Sequence, residues 1–306
     1  MKQIRFSLVV LGLTSFATSF ASFDMCLVSD SGTNSVHRID PITNTYLGSF
    51  GGGILSNPRA VAIDQALNRA YVMDLTSRVS VWDYNTGEFI NSWSTGFGGS
   101  NLTRNSDGTL NIVGASSIRR FTASGVIQRE YVRSGTLGIQ QGLLGPDGQF
   151  YMSTRTGNNF RLERFSYGTG TFLGDEFWAT DRAILSPGPG NVLVSFEYSG
   201  TVYAELDVWN SGPSSIAAVG TTVINTVAGI ANGHGSMSFI LGRDAAVPSR
   251  GGIMRYDRVN NAFSPFLAGT SFIQTPTGLA NVVAPEPGSM LALGLGLLAM
   301  ARRKRS

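Results

Sequence analysis

The sequence predicts an all-β protein: a six-bladed β-propeller body with an N-terminal signal helix and a short apolar C-terminal helix. Three observations predict it. Short β-rich runs alternate with turn signals, and glycine supplies 38 of 306 residues. One strand-and-turn phrase recurs six times at the period of a propeller blade. No long stretch between the two ends carries a 3.6-residue apolar period, so helices belong to the ends.

The first element is a targeting segment. Lys2 and Arg5 give a positive start, an uncharged and mostly apolar run follows from Phe6 to Phe20, and small residues close it at Ser19 and Ala21. This is the layout of a secretory signal peptide over residues 1–21, cut after Ala21 by a signal peptidase. Residues 22–283 form the body. Its one cysteine, Cys26, allows no internal disulfide, so the fold rests on packing. Phe23-Asp24-Met25 before it is not the small-residue box of a lipoprotein. The expected role of Cys26 is that of a small buried hydrophobe.

Within the body the recurring phrase is a strand ending in a polar turn. It runs Val36 to Asn44, Val79 to Gly87, Ile118 to Gly125, Leu162 to Gly170, Leu206 to Gly212 and Ile253 to Asn260. Successive copies end 38 to 48 residues apart. Upstream landmarks such as Arg59 to Asp64, then Asn68 to Asp74, add two more strands per unit. Asp107-Gly108, Asp147-Gly148 and Pro189-Gly190 mark their turns, because glycine accepts the positive φ a hairpin needs. Four strands in about 43 residues is one propeller blade. The body starts at a second-strand position, Met25 to Asp30, and stops at a first-strand position, Pro276 to Val282. The last strand should therefore join the first three and complete blade one, removing an exposed sheet edge. The stretch 213–250 departs from the phrase, and a seven-bladed ring or a β-sandwich remain alternatives.

Charge narrows the function. The whole chain carries +3, but six of its 23 cations lie in the two ends. The body keeps 17 cations, all arginine, against 19 acids, a net charge of −2. That excludes the basic face a nucleic-acid partner needs. Arg119-Arg120, the one basic pair of note, reads as a solvated strand edge.

Catalytic signatures are absent: no Gly-x-Ser-x-Gly elbow, no P-loop and no strand-linked dinucleotide fingerprint. The two histidines, His37 and His234, lack zinc-site spacing. His37 sits in a repeat strand and reads as a surface or blade-packing residue; His234, between two glycines, reads as an exposed loop. No catalytic residue is assigned. Asp40, Asp83 and Asp257 recur before a turn, where their carboxylates cap backbone amides, and Asp107 and Asp147 belong to turns by the same logic. Trp82, Phe121, Phe165, Trp209 and Tyr256 recur at one blade position and read as wedges between blades.

The last element starts with Val283-Ala284-Pro285-Glu286-Pro287-Gly288-Ser289. An uncharged run Met290 to Ala301 follows, then Arg302-Arg303-Lys304-Arg305. Pro285 and Pro287 fix φ and lack an amide donor, so no helix runs in from upstream. A helix over the apolar run reaches about 18 Å, short of the ~30 Å hydrocarbon core. Such a stub suits temporary anchoring, with the four cations held on the cytoplasmic side. Residues 284–306 resemble the PEP-CTERM sorting tail. The resemblance implies recognition of Pro285, Glu286 and Pro287 by an exosortase, a membrane enzyme of Gram-negative bacteria. It implies export, transient inner-membrane anchoring and delivery to the cell surface or extracellular matrix, with exopolysaccharide or other surface proteins as partners.

Through Pro58 to Asp64 and Pro146 to Tyr151 the body resembles the six-bladed propellers of the NHL-repeat and gluconolactonase-like group. That resemblance implies a divalent metal such as calcium on the channel axis. Asp30, Asp64 and Asp74, near ends of predicted inner strands at a common channel mouth, are its candidate ligands. The function expected is a non-catalytic surface or matrix protein that binds through its propeller and needs no cofactor. The alternative is a metal-dependent propeller hydrolase or lactonase.

Overall fold

The computed structural model describes residues 25–282, apart from 42, 44, 133–136, 157–158, 180–182, 188–191, 198–201, 208–211, 219–223, 233–236, 245–250, 258, 261 and 268–271. The signal segment 1–21, the tail 284–306 and His234 and Trp209 lie outside them. Met25–Val282 forms one compact unit.

Six four-stranded antiparallel sheets make up the described body. From the centre outward, blade 1 is β24 (Pro276–Val282), β1 (Met25–Asp30), β2 (Ser35–Asp40) and β3 (Thr45–Phe50). Blade 2 is β4 (Pro58–Asp64), β5 (Arg69–Asp74), β6 (Arg78–Asp83) and β7 (Phe89–Ser94). Blade 3 is β8 (Asn101–Arg104), β9 (Leu110–Val113), β10 (Ile118–Phe121) and β11 (Ile127–Tyr131). Blade 4 is β12 (Leu137–Leu144), β13 (Phe150–Thr156), β14 (Asn159–Phe165) and β15 (Phe172–Ala179). Blade 5 is β16 (Ala183–Pro187), β17 (Val192–Glu197), β18 (Val202–Asp207) and β19 (Gly212–Ala218). Blade 6 is β20 (Ile224–Asn232), β21 (Met237–Asp244), β22 (Gly251–Asp257) and β23 (Ala262–Leu267).

The inner strands β24, β4, β8, β12, β16 and β20 touch in that order, and β20 returns to β24. The ring is therefore a closed propeller, and its first blade is completed by the far end of the chain. The recurring phrase is the third strand of each blade with its following turn. Strands also form at 213–218, 224–232 and 237–244, where the phrase fades, so backbone pairing outlasts the side-chain pattern.

Most of the core lies between blades rather than around one centre. Successive residues of a strand point to opposite sheet faces. Accordingly Met25 and Leu27 of β1 join Val61, Val72 and Trp82 of blade 2, while Cys26 and Val28 join Phe239, Leu241 and Ile253 of blade 6. Both faces of β1 and β5 are buried, which is why Met25-Cys26-Leu27-Val28 and Ala70-Tyr71-Val72-Met73 are unbroken apolar runs. Further wedges join blade 2 to blade 3 through Met73 and Phe121, and blade 3 to blade 4 through Ile118 and Phe165. Trp82, Phe121, Phe165 and Tyr256 are all buried, as wedge residues should be.

The turn chemistry follows the sequence reading. Asp83 accepts the amides of Asn85 and Thr86 at 2.9 Å each, and Gly87 closes the turn at φ 79°. Asp40 caps Thr43, Asp257 caps Val259, Asp107 caps Thr109 and Asp147 caps Gln149 in the same manner.

All inner strands traced by side-chain contacts run the same way. Thr277 meets Pro58 at the starts of β24 and β4, and Asp64 meets Arg104 at the ends of β4 and β8. The ring thus has a leading edge, where inner strands begin, and a trailing edge, where they end.

Candidate functional site at the closure and the channel

The axis of the ring holds a cavity of about 270 Å³. Its walls come from β4, β8, β12, β20 and β24. Small residues, among them Ala60, Ala62, Gly229 and Ala280, keep it open. Polar groups are supplied by Asn101, Thr103, Gln141 and Asn281, and among the described residues of the lining the one charged side chain is Arg104. Arg104 donates to Asp64 Oδ2 at 2.8 Å, so the ion pair neutralises its charge at the trailing edge. The described lining is therefore neutral overall, and part of its hydrogen bonding is spent within the fold: Asn101 Nδ2 donates to Gln140 O and the Thr103 hydroxyl to Gly142 O.

The three candidate metal ligands do not share a mouth. Neighbouring strands of a blade are antiparallel, so β4 and β5 end on opposite edges. Asp74 closes β5 opposite Pro58 at the leading edge, and Asp64 closes β4 opposite Arg69 at the trailing edge. Asp30 closes β1 opposite Pro276, again at the leading edge. Asp30 and Asp74 thus end second strands, not inner ones. Among the described residues no three His, Cys, Asp or Glu side chains gather in a metal-binding cluster.

Each of these carboxylates is engaged within the fold. Asp30 has no exposed surface. It accepts the amides of Gln274 at 2.6 Å and of Thr275 and Gly32 at 2.8 Å each. His37 Nε2 lies 3.3 Å from its second oxygen. Burial works to raise the Asp30 pKa, but the bonds from His37, Gln274, Thr275 and Gly32 together outweigh it and hold the carboxyl below the usual range. Asp74 takes Thr76 and both Nε and Nη2 of Arg78, the latter at 2.6 Å. Asp64 takes the Leu67 amide besides Arg104.

Asp30 sits at the ring closure, where its two partners in the loop leading into β24 lie 244 and 245 residues away. Around it Ser31 N donates to Thr275 O at 3.0 Å, and Cys26 Sγ lies 3.5 Å from Asn281 Oδ1. The Thr277 hydroxyl donates to Pro58 O of blade 2 at 2.7 Å and lies 3.1 Å from Ser29 Oγ. Gly278 is required here: a Cβ on it would meet Ala60 Cα and Ser29 Oγ at 2.9 Å. His37 is buried rather than on the surface, packed on Tyr46 and Phe272, which settles its reading as blade packing.

A second polar cluster, with no sequence signal of its own, joins blades 3 and 4. Asn105 and Asn111 exchange amide hydrogen bonds at 3.1 and 2.7 Å, and Leu144 N donates to Asn105 Oδ1. Tyr167 OH donates to Asp107 Oδ2 at 2.6 Å, and Arg120 lies over the Tyr167 ring at 4.1 Å. Arg119 lies over Phe97 and bonds Glu130, so the basic pair splits between two sheet faces instead of forming one solvated edge. These residues cross-link blades through bonds that adjacent positions in the chain do not announce.

Pro285, Glu286, Pro287 and the cations Arg302, Arg303, Lys304 and Arg305 lie outside the described residues. Among the described residues no helix is long and apolar enough to cross a membrane.

Residues 283–305 match the PEP-CTERM protein-sorting motif. The motif marks a protein exported through a membrane-anchored exosortase to the cell surface or extracellular space. No curated protein matches the chain. Among solved structures, a Bacteroides caccae protein of unknown function superposes with TM-score 0.68 at 10% identity, covering 85% of this chain and 99% of its own. A chain of the Nidogen/Laminin complex gives TM-score 0.68 at 12% identity, covering 84% and 98%. A Kuenenia stuttgartiensis hydrazine synthase chain gives 0.56 at 16% identity, covering 76% and 74%. At these identities the likeness is one of fold.

Proposed function

We propose that the exported propeller is a non-catalytic binding or structural module of the cell surface or extracellular matrix. One observation carries this reading: the candidate carboxylates Asp30, Asp64 and Asp74 are bonded within the fold and lie on two different edges, while the described channel lining is neutral and rich in small residues. A hydrolytic metal centre needs converging acidic ligands with an open coordination position. A neutral, hydrogen-bonding channel suits recognition of an uncharged polar ligand. Fold by itself assigns no ligand.

Calcium titration by calorimetry, on protein recovered from the culture medium, tests the reading. The expected result is no saturable heat and no shift in thermal melting. Saturable heat that Asp74→Asn or Asp64→Asn removes would overturn it in favour of a metal-dependent hydrolase or lactonase.

Sorting has its own test. Pro285, Glu286 and Pro287 serve as the recognition residues, and Arg302 to Arg305 as the orienting charge. Glu286→Ala should then leave an uncleaved form in the membrane fraction. Normal release of that variant would reduce Pro-Glu-Pro to a linker.

A further inference from the structure

We infer that the trailing edge of the propeller is a membrane-apposed face, built to rest on a zwitterionic lipid surface while the tail holds the chain at the membrane. The described body exposes twelve large hydrophobic side chains, and they are not spread evenly. Three sit at trailing-edge turn tips of three blades: Leu67 at 55%, Val126 at 61% and Val259 at 79% exposure. The outer strands of blades 2, 3 and 4 begin at the same edge with further exposed apolar residues, in Phe89-Ile90, Ile127 and Phe172-Leu173. The leading edge exposes only Ile54, Leu75 and Val132 among them; Tyr46, of β3, turns its ring back onto Phe272. Solitary exposed aliphatics are ordinary, but a set gathered along one edge, from two kinds of turn and the outer-strand starts, marks a contact surface.

The occupant follows from where the chain leaves the body. Met25 and Val282 pair with each other at the trailing edge, so both ends of the described body lie at this edge. Seven residues, hence eight Cα–Cα steps, separate Val282 from Met290, where the uncharged run begins. Fully extended, they reach at most about 28 Å. A tail inserted from Met290 onward therefore keeps Val282, and with it the trailing edge where β24 ends, within that distance of the bilayer. Shallow insertion of apolar tips into the headgroup boundary is how such surfaces hold to lipid. The same edge carries the turn carboxylates of Asp40, Asp83, Asp107, Asp147 and Asp257. Those charges oppose an anionic surface and leave a zwitterionic one as the fitting partner. The inference rests on the sorting motif and is independent of the channel reading.

The test uses the full chain in sealed phosphatidylcholine–phosphatidylethanolamine vesicles containing brominated lipid. Cys26 is buried, so Asn85→Cys at a trailing-edge turn and Leu75→Cys at the leading edge take a fluorescent label selectively. The Asn85→Cys label should be quenched several-fold more than the Leu75→Cys label. Adding Leu67→Ser, Val126→Ser and Val259→Ser should remove the difference without lowering the melting temperature. Should the triple variant melt early, Val259→Ser alone, at the most exposed tip, is read instead and should reduce the quench. Equal quenching at both edges, or quenching that survives loss of the tips, overturns the inference. So does stronger quenching in phosphatidylglycerol vesicles, or a lipid-free dimer that the triple variant dissolves, which would give the face to a second copy.

Discussion

In blade 2 all four strands come from residues 58–94, whereas blade 1 takes its inner strand from 276–282 and the other three from 25–50. The frames around the second strands match. Ser31 N donates to Thr275 O at 3.0 Å in blade 1, and Leu75 N to Ser56 O at 3.1 Å in blade 2. An aspartate ends the second strand in both. In blade 2 Asp74 holds the side chain of Arg78, four residues on. In blade 1 Asp30 holds two backbone amides from the other end of the chain. One residue at one blade position is a local tie where the chain is continuous and a clasp where it is not. The chain has no disulfide to share that task.

The comparison can be broken by substitution. Asp30→Ala should show the largest effect. It leaves three part-buried amides and the buried His37 imidazole without their acceptor, and removing a buried charged acceptor of this kind costs about 3–5 kcal/mol. Gly278→Ala should follow, at about 1–3 kcal/mol, because its Cβ enters the space of Ala60 across the blade 1–blade 2 contact. Asp74→Ala should cost about 1–2 kcal/mol, since Arg78 is 31% exposed and regains water. Thr277→Val should cost about 1 kcal/mol for one hydrogen bond to Pro58 O. Denaturant midpoints of the four variants check the order, and an Asp74→Ala loss equal to that of Asp30→Ala would erase the distinction.

Acidity sharpens the same contrast. The folded Asp30 pKa lies below its ordinary value. Its contribution to stability is therefore complete above the unfolded value of about 3.9 and is lost as pH falls through the folded one. Wild type should lose stability below about pH 4 more steeply than Asp30→Asn does. Parallel acid profiles for the two proteins would contradict the clasp.

How much of this was legible in the sequence depends on the span of each interaction. Asp83-Tyr84-Asn85-Thr86-Gly87 announces its turn because donor, acceptor and positive φ lie within five residues. The meeting of 25–30 with 276–282 was readable from blade phase alone. The work of Asp30 and Asp64 was not, because Gln274 and Arg104 approach them only through ring closure and blade order. Strand direction, set by antiparallel pairing, put Asp64 on the other edge from Asp30 and Asp74. The apolar trailing edge did leave a trace: apolar residues stand within two positions of several aligned turns, at Phe89, Val126 and Phe172.

Native-state hydrogen exchange of the β24 amides is the most direct test of the clasp. Exchange across 276–282 should accelerate in Asp30→Asn and stay at the wild-type rate in Asp74→Asn. Equal acceleration in both variants, or none in Asp30→Asn, would contradict it.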